Sequence, residues 1–358
     1  MVKVEALSGD PMRSLPDPFE GVARGKRSIA VNLKDDGARA IVEALVREAD
    51  IVQHNFRPGA AERLGVDEAS VRALNANVIY EYAPGYGSSG PKSRLQSFAP
   101  LHSGFVGIQS EAAGEDNIPT LTFGNEDYYN GQLNAVGALL ALIHRDRTGD
   151  GQYVECAQLS SSLFVTSHWY RSAGQRLSGL PALDHLQLGW SPYRRLYQCL
   201  EGYLCVCCTD TAHERSMRAV VLGDVGAGDP PEGGTVAERI EYELFGRTAA
   251  DWDEALRAAG VPSTVAIEHM WLHDHLTDPE VQAAGRATAF VHDSAGPVSV
   301  IGQIVHLEST PPLEPVRAPR LGEHTHEILT ELGLDENAIA ELDARGVVSL
   351  GERHEGGR

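Results

Sequence analysis

A regular alternation of helix-like and strand-like apolar patterns, early in the chain, constrains the fold more than any other feature. Apolar residues recur at helical spacing between residues 36 and 50, and short strand-like runs follow at 51–53 and 78–83. A Pro-Gly pair at 58–59 interrupts the chain between the two strand-like runs. Strands that alternate with helices in this way predict an α/β fold with a parallel sheet.

The middle of the chain has a different pattern. Residues 194–208 are typical of a hairpin around Glu201-Gly202, and the segments 236–244 and 248–259 have helical spacing. Helical spacing returns in the tail, after residue 319. We therefore predict a large α/β domain formed by residues 1–190 and 301–358, with a small α+β domain formed by residues 191–300 between these parts.

Charge and composition exclude several classes of function. A net charge of −20 repels nucleic acid, so we expect no nucleic-acid partner. No apolar run approaches the roughly 18 residues of a membrane-spanning helix, so we expect no membrane partner. The first residues lack the apolar run of a signal peptide, and the five cysteines lack the spacing of a disulfide framework. These features favour a cytoplasmic protein.

A glycine-rich turn at residues 85–90 matches the GxGxxG pattern of dinucleotide-binding proteins. A polar segment, Pro91 to Arg94, follows it instead of a clear amphipathic helix. No acidic residue stands about 20 residues further on, where a ribose partner belongs. A turn that lets the backbone approach a ligand, or that only reverses the chain, is favoured over a nicotinamide site.

Three histidines, His269, His273 and His275, lie close together in the sequence. His269 and His273 are four residues apart and would share one face of a helix, as metal ligands often do. The segment lacks the glutamate of a metalloprotease motif, and a solvated helix rich in histidine explains it equally well. We therefore predict no metal site.

Asp127 stands in a polar segment, residues 124–131, just before a long apolar helical pattern that runs to Thr148. A carboxylate at a helix N-terminus has a structural explanation, since it caps the helix and interacts with the helix dipole. Two adjacent acids, two tyrosines and a glycine also suit a corner that faces a ligand. Spacing alone leaves both interpretations open.

Six segments in a fixed order resemble the family III CoA-transferases, which include formyl-CoA and carnitine CoA-transferases and the related α-methylacyl-CoA racemases. The segments are VKVEALSGDPMR (2–13), RGKRSIAVNLK (24–34), ADIVQHNFRPGAAERLGV (49–66), NANVIYEYAPGYGSSGP (75–91), DYYNGQLNAVGALLALIHRDRTGDGQ (127–152) and APRLGEHTHEILTELGL (318–334). The resemblance implies a Rossmann-like large domain and an interlocked homodimer.

The resemblance also implies a nucleophile. The family places a catalytic aspartate at the start of the helix that ends in Thr148-Gly149, and counting back through Gly137 gives Asp127, with Glu126 as second choice. The expected reaction moves CoA from an acyl-CoA to a free carboxylic acid through an aspartyl-CoA thioester. Positioned N–H donors must stabilise the oxyanions, and backbone amides near Tyr128 and in the glycine turns are the expected donors.

Coenzyme A enters as a substrate, and the resemblance implies no separate cofactor. By position in the family, Asn55, Phe56, Ala60 and Arg63 line the adenine and phosphate region. Three further cations carry over more loosely as partners of the phosphates: Arg57, Lys26 and Arg13. Such a local cationic rim is needed, because the rest of the surface is acidic.

Two departures from the family pattern keep alternatives open. The family begins with a strand and helix that precede the first matched segment here, which leaves three alternatives: a start assigned too late, a partner chain that supplies the element, or a CoA-binding protein without activity. The racemases carry a histidine at the position of Leu95, and His102 stands seven residues later. We therefore rank a transferase above an acyl-CoA racemase or epimerase.

Overall fold

The computed structural model describes residues 1–122, 125–178, 181–223, 235–269, 272–293, 295–310 and 316–351. Its strands are β1 Val2–Glu5, β2 Arg27–Val31, β3 Ile51–His54, β4 Ile79–Tyr82, β5 Tyr153–Glu155, β6 Trp169–Ser172, β7 Gln175–Ser178, β8 Gly189–Ser191, β9 Arg194–Gln198, β10 Tyr203–Cys207, β11 Ser263–Ala266, β12 Ala287–His292, β13 Gly296–Ile301 and β14 Val348–Ser349.

The helices follow in the same order, together with a short 3-10 helix at Pro11–Ser14. They are α1 Pro16–Ala23, α2 Ala38–Glu48, α3 Ala60–Leu64, α4 Glu68–Leu74, α5 Ala99–Val106, α6 Ile108–Ala113, α7 Glu126–Thr148, α8 Gln158–Val165, α9 Thr211–Leu222, α10 Val236–Leu244, α11 Ala249–Ala258, α12 Leu272–Thr277, α13 Pro279–Ala283, α14 Thr325–Glu331 and α15 Glu336–Ala344.

The predicted parallel arrangement is present in the sheet β3-β4-β5. β4 pairs in parallel with both neighbours, and Ile51 of β3 lies opposite Ile79 of β4. α2 buries side chains on two sides: Ile41 packs in one core with Ile29 of β2, and Val46 packs in another with Tyr80 of β4. The helix predicted at 36–50 and the strands predicted at 51–53 and 78–83 are thus confirmed to within a few residues.

A second sheet, β1-β2-β14, uses strands from both ends of the chain. β1 and β2 are parallel, whereas β14 runs antiparallel to β2. Ile29 and Val31 of β2 share a buried core with Ile328 and Leu329 of α14 and with Val347. Apolar residues near the C-terminus therefore complete a core that the first strands begin.

The middle of the chain forms an antiparallel sheet in the order β11-β10-β9-β8. The predicted hairpin is confirmed, since β9 and β10 pair around Gly202, which adopts a φ of +78°. α9, α10 and α11 cover this sheet through buried Met217, Ile240, Leu244 and Leu256. The helices predicted at 236–244 and 248–259 are confirmed as α10 and α11.

The chain divides into two compact units. One consists of Met1–Ala83, Asn134–Glu155 and Trp271–Arg358, and the other consists of Pro84–Leu133 and Cys156–Met270. The architecture is mixed α/β, as predicted. The predicted domain division, its Rossmann-like character and the interlocked dimer stay predictions.

The described helices were also compared with the requirements for crossing a bilayer. None of them combines sufficient length with sufficient apolar character to span a membrane. This finding does not test the cytoplasmic location, which stays a prediction.

Candidate active site

Asp127 lies in the first turn of α7, one residue after the helix begins at Glu126. The residue as a whole is exposed, but its carboxylate is partly buried where Oδ1 accepts a hydrogen bond from Nε2 of Gln158. Gln158 is the first residue of α8 and is buried. The helix therefore begins before Asp127, which is not the residue that caps it, and a side chain 31 positions later holds the carboxylate.

Gln158 belongs to a chain of polar side chains that continues to Ser97 and His102. The Oγ of Ser97 lies 2.5 Å from Oε1 of Gln158 and 2.7 Å from Nε2 of His102. The amide oxygen of Gln158 can only accept, so the single hydroxyl proton of Ser97 points to it. His102 must then donate from Nε2 to Ser97. The hydrogen bonds run in one direction, from His102 through Ser97 and Gln158 to Asp127.

Backbone hydrogen bonds between the segment after β4 and the start of α8 hold these hydrogen-bonded side chains in place. The amides of Gln158 and Leu159 donate to the carbonyls of Pro84 and Gly85, at 2.8 and 2.9 Å. A Cβ on Gly85 would lie 2.1 Å from Cβ of Ser97, far inside contact distance. Gly85, the first glycine of the GxGxxG match, is thus needed for the close approach of Ser97.

The segment after this glycine-rich turn decides between the two interpretations of the motif. Residues 91–94 form turns, and the next helix, α5, begins only at Ala99. A dinucleotide fingerprint requires a helix directly after the glycines, because the helix N-terminus binds the pyrophosphate. The arrangement is that of a packing turn and not of a nicotinamide site.

Electrostatics distinguish the two acids at the start of α7. Burial is the main cause that raises the pKa of Asp127, the charge of Glu126 raises it further, and the hydrogen bond from Gln158 opposes both. Glu126 is only 3% exposed. The hydroxyl of Ser103 donates to its Oε1, and its Oε2 is buried without a hydrogen-bond partner among the described residues. Asp127, and not Glu126, is the acid that a dissolved substrate reaches.

His102 is fully buried, and burial lowers the pKa of its imidazole. A neutral imidazole protonated at Nε2 agrees with the donation to Ser97, and its Nδ1 has no hydrogen-bond partner among the described residues. Tyr86 packs on the imidazole, with ring centroids 4.5 Å apart. His102 therefore reaches Asp127 only through Ser97 and Gln158.

The residues predicted to bind CoA occupy the other compact unit. Asn55 and Phe56 follow β3, Arg57 comes next, and Ala60 and Arg63 lie on α3. Asn55, Arg57 and Arg63 are exposed, whereas Phe56 and Ala60 are half-buried. The structure thus presents two exposed guanidinium groups in the segment that follows the carboxyl end of a parallel strand, where α/β proteins commonly bind ligands.

The backbone of this segment is well anchored. The Phe56 ring stacks on His54 at 5.1 Å between centroids, and the Phe56 carbonyl accepts a hydrogen bond from the Tyr82 hydroxyl at 3.1 Å. The imidazole of His54 also stacks on Tyr82 at 4.7 Å. An anchored strand end of this kind suits a binding loop better than a freely moving one.

Arg13 and Lys26 have different surroundings. The guanidinium of Arg13 donates to both oxygens of buried Glu5, at 2.8 and 2.7 Å, and to the carbonyl of Pro319 at 3.1 Å. Arg13 also lies over the ring of Phe19. Lys26 is half-buried, and burial together with the charge of Lys3 lowers its pKa. The structure thus gives Arg13 a structural role, and Lys26 keeps a partly accessible ammonium group.

Sequence reasoning missed Gln158 and Ser97, and it set His102 aside because of its spacing. No local pattern marks Gln158, which stands in an apolar segment, 61 residues after Ser97.

For the metal hypothesis, the described part of the chain contains no group of three or more His, Cys, Asp or Glu side chains placed to hold an ion.

The chain is similar in sequence to known CoA-transferases. A succinyl-CoA:mesaconate CoA-transferase of Haloarcula marismortui is 30% identical over 94% of this chain and 90% of its own length. A human succinyl-CoA:glutarate CoA-transferase is 28% identical over 99% of this chain and 84% of its own length.

The solved structures that resemble the fold have lower identity. A CaiB/BaiF family protein from Brucella suis has a TM-score of 0.75 at 24% identity, over 92% of this chain and 91% of its own. Rv3272 of Mycobacterium tuberculosis has a TM-score of 0.75 at 22% identity, over 91% and 90%. The sequence profile described as CoA-transferase family III matches residues 1–325. The predicted resemblance is confirmed, and the chain belongs to CoA-transferase family III.

Proposed function

We propose that this enzyme transfers CoA from an acyl-CoA to a free carboxylic acid, with the carboxylate of Asp127 as nucleophile. One observation carries the proposal: Asp127 is exposed at the start of α7, at the register that the family resemblance implies, and a buried amide holds one of its oxygens. An ionised carboxylate needs no general base to act as a nucleophile.

The proposed reaction has four steps, and each breaks one bond for the bond that it forms. Oδ2 of Asp127 adds to the acyl carbonyl, and CoA leaves as thiolate, which gives a mixed anhydride. The thiolate then attacks Cγ of Asp127 and releases the first acid as carboxylate, which leaves an aspartyl-CoA thioester. The second carboxylate attacks Cγ and expels the thiolate. The thiolate finally attacks the new acyl carbonyl and frees Asp127.

For coenzyme binding, we propose the segment that contains Asn55, Phe56, Arg57, Ala60 and Arg63. The exposed guanidiniums of Arg57 and Arg63 would neutralise phosphate oxygens, to which guanidinium groups bind with matching geometry. Lys26 is a further candidate, because its partly buried ammonium would gain an anionic partner. Arg13 is the weakest candidate, since Glu5 already occupies its guanidinium.

For the substrates, we propose succinyl-CoA as donor and a small dicarboxylic acid as acceptor. The relatives from H. marismortui and human are both named for transfer from succinyl-CoA to such an acid. Beyond these names, the identity of the acceptor acid rests on the experiment below.

The position of His102 favours transfer over racemisation. A racemase needs an acid–base pair in contact with the substrate α-carbon. His102 is fully buried, and Ser97 and Gln158 stand between it and Asp127. His102 is therefore not placed to act with Asp127 on the same substrate carbon.

We also propose that the chain acts as a homodimer, as the family resemblance implies. The long helix α7 carries exposed Val136, Leu139, Leu140 and Ile143 along its length. Exposed apolar side chains in such a cluster are typical of a protein interface. A second copy of this chain is the occupant that the resemblance implies.

The test traps the covalent intermediate. The enzyme is mixed with succinyl-CoA, treated with hydroxylamine or borohydride, digested and analysed by mass spectrometry, with Asp127→Asn as the matched control. We expect modification of Asp127 in the wild-type enzyme alone, and CoA transfer to glutarate or mesaconate when either acid is added.

The other outcomes point to the other hypotheses. Solvent deuterium at the substrate α-carbon without trapping would favour a racemase. A rise in melting temperature with CoA, without trapping or exchange, would indicate that the protein binds CoA but has no activity. A rise in melting temperature with NAD and none with CoA would overturn the assignment of a CoA site.

A further inference from the structure

We propose that Gln158 is a second catalytic residue, which stabilises the oxyanion that forms on Asp127 itself, and that Ser97 and His102 position it. This inference rests on the proposed function, because it requires Cγ of Asp127 to be attacked. It assigns a role to three side chains that no sequence motif marks.

Cγ of Asp127 becomes tetrahedral in two steps of the proposed reaction. When CoA thiolate attacks the mixed anhydride, the C–S bond forms and the π electrons of the Cγ–Oδ1 bond move onto Oδ1. Collapse restores this double bond and breaks the bond between Cγ and the bridging oxygen, which leaves with the first acid. Attack by the second carboxylate on the thioester places the same negative charge on Oδ1.

Nε2 of Gln158 donates a hydrogen bond to this same oxygen. Gln158 is 7% exposed, so its amide dipole acts in surroundings that contain little water. A donor that is already in place when charge develops needs no reorganisation during the step. The site thus contains a preorganised oxyanion donor aimed at Asp127.

The backbone amides expected near Tyr128 are already engaged. The amide of Tyr128 donates to the carbonyl of Asn125 at 3.1 Å, and the amide of Tyr129 donates to the same carbonyl at 3.2 Å. Gln158 therefore supplies the donor that the first turn of α7 does not.

Ser97 and His102 decide which end of the Gln158 amide faces Asp127. The hydroxyl of Ser97 donates to Oε1, and Nε2 of His102 donates to Ser97. With Oε1 held by this donor, the NH₂ group is the end that remains for the carboxylate. The reversed amide would place an oxygen against Oδ1, and two acceptors repel each other.

The role predicts an effect on particular steps. When Oδ2 attacks the acyl-CoA, charge leaves the Asp127 carboxylate, so a hydrogen bond to Oδ1 gives no help. When Cγ is attacked, charge returns to Oδ1, and the hydrogen bond strengthens. Removal of the donor should therefore slow formation and breakdown of the aspartyl-CoA thioester and leave CoA binding unchanged.

The first experiment measures how fast the Asp127 thioester forms from succinyl-CoA, by quenched-flow trapping with hydroxylamine. We expect Gln158→Leu to slow thioester formation roughly 100-fold, as loss of one oxyanion donor does elsewhere, with an unchanged Kd for CoA. Thermal denaturation shows whether each variant is folded.

Gln158→Glu tests the pH profile of thioester formation, which a purely structural role of Gln158 would leave unchanged. Its shape is nearly that of glutamine, but it places a second carboxylate against Asp127, where two like charges resist ionisation together. We expect the acid limb of the rate of thioester formation to shift to higher pH. A structural role predicts an unshifted pH profile.

The positioning role is tested by Ser97→Ala. We expect a loss of about 10-fold in the same rate, the size of one hydrogen bond of about 1.4 kcal/mol. Ser93→Ala is the matched control, since Ser93 lies four residues before Ser97 and its Oγ donates to the carbonyl of Gly90 at 2.9 Å. We expect its rate to equal that of the wild type.

The outcomes separate this inference from the proposed function. If the wild-type enzyme forms no adduct at Asp127, the proposed function fails and the inference fails with it. If the wild-type enzyme forms the adduct and folded Gln158→Leu forms it equally fast, only the role of Gln158 is overturned. An unshifted pH profile in Gln158→Glu would also overturn that role.

Discussion

At the scale of single residues, the two acids that begin α7 are adjacent in sequence and have opposite surroundings. Glu126 is buried against the hydroxyl of Ser103, whereas Asp127 is exposed and bonded to Gln158. A helix turns by about 100° per residue, so neighbours in the sequence face different directions. Their charges still interact, because the side chains are close.

This interaction predicts a pH effect. The pKa of Asp127 is raised, and only the ionised form attacks, so the rate of thioester formation should fall as pH drops through a value above the usual range for aspartate. Glu126→Gln removes a neighbouring negative charge and keeps a side chain that can bond to Ser103. We expect the acid limb of the rate profile to shift to lower pH. Glu254→Gln, an exposed acid of α11, is the control and should leave the profile unchanged.

The pair of Arg13 and Glu5 predicts an effect on stability. Burial alone would raise the pKa of Glu5, but hydrogen bonds from Arg13 and Ser28 outweigh it and hold the pKa below the usual range. Arg13→Ala leaves a buried carboxylate without its cation, which should reduce the free energy of unfolding by about 3–5 kcal/mol. Urea denaturation measures this, and Arg39→Ala, in an exposed pair with Glu43, should cost about 0.5 kcal/mol or less.

The same pair sets a dependence on acid. Because the folded pKa of Glu5 is lowered, its contribution is fully present above an unfolded pKa of about 4.3 and is lost as pH falls through the folded value. Arg13→Ala should therefore lose less stability between neutral and acid pH than the wild type. Equal acid sensitivity in both proteins would contradict a structural role for Arg13.

At the scale of elements, the candidate site depends on where β4, α5 and α8 end or begin. The chain leaves β4 at Tyr82, and the carbonyls of Pro84 and Gly85 accept from the first amides of α8. Ser97 stands two residues before α5 and packs on Gly85. Gly85 therefore determines how closely Ser97 and the start of α8 approach the turn.

Gly85→Ala tests this arrangement. The added Cβ would overlap Ser97, so we expect a loss of about 1–3 kcal/mol in the free energy of unfolding and slower thioester formation. Ser97→Gly in the same chain removes the overlapping Cβ and should restore stability but not the rate. Gly21→Ala is the control, because its Cβ meets nothing within 4 Å. A Gly85→Ala enzyme with wild-type stability would contradict the close approach.

At the scale of the whole molecule, the exposed apolar residues of α7 are unusual for a chain of net charge −20. Leu139 and Leu140 are 59% and 62% exposed in the single chain. Burial of such side chains stabilises association by roughly 1.5–3 kcal/mol each. We therefore expect these residues to be buried in a dimer interface.

We expect a dimer in size-exclusion chromatography with light scattering. Leu139→Lys combined with Leu140→Lys should shift the protein toward monomer, because two charges would have to be buried in the interface. Val291→Lys, on an exposed residue of β12, is the control and should leave the dimer intact. A wild-type protein that is monomeric at all concentrations would contradict the proposal.

The sequence by itself determined the mixed α/β class, the family, several helices and strands, and the position of Asp127 near the start of α7. Helical and strand periodicities arise from contacts between near neighbours, so the pattern at residues 36–83 predicted α2, β3 and β4 closely. The register of Asp127 against Thr148-Gly149 lies within one helix, where spacing along the chain is spacing in space.

Only the tertiary structure decided what surrounds that aspartate. Gln158 bonds to Asp127, 31 positions before it, and to Ser97, 61 positions before it. Arg13 donates to the carbonyl of Pro319, 306 positions after it. No local preference encodes such contacts, because they depend on how separate elements pack. The tertiary structure thus shows that Asp127 is held by Gln158 and does not cap the helix. It also places His102 in the same series of hydrogen bonds, and it pairs Arg13 with Glu5.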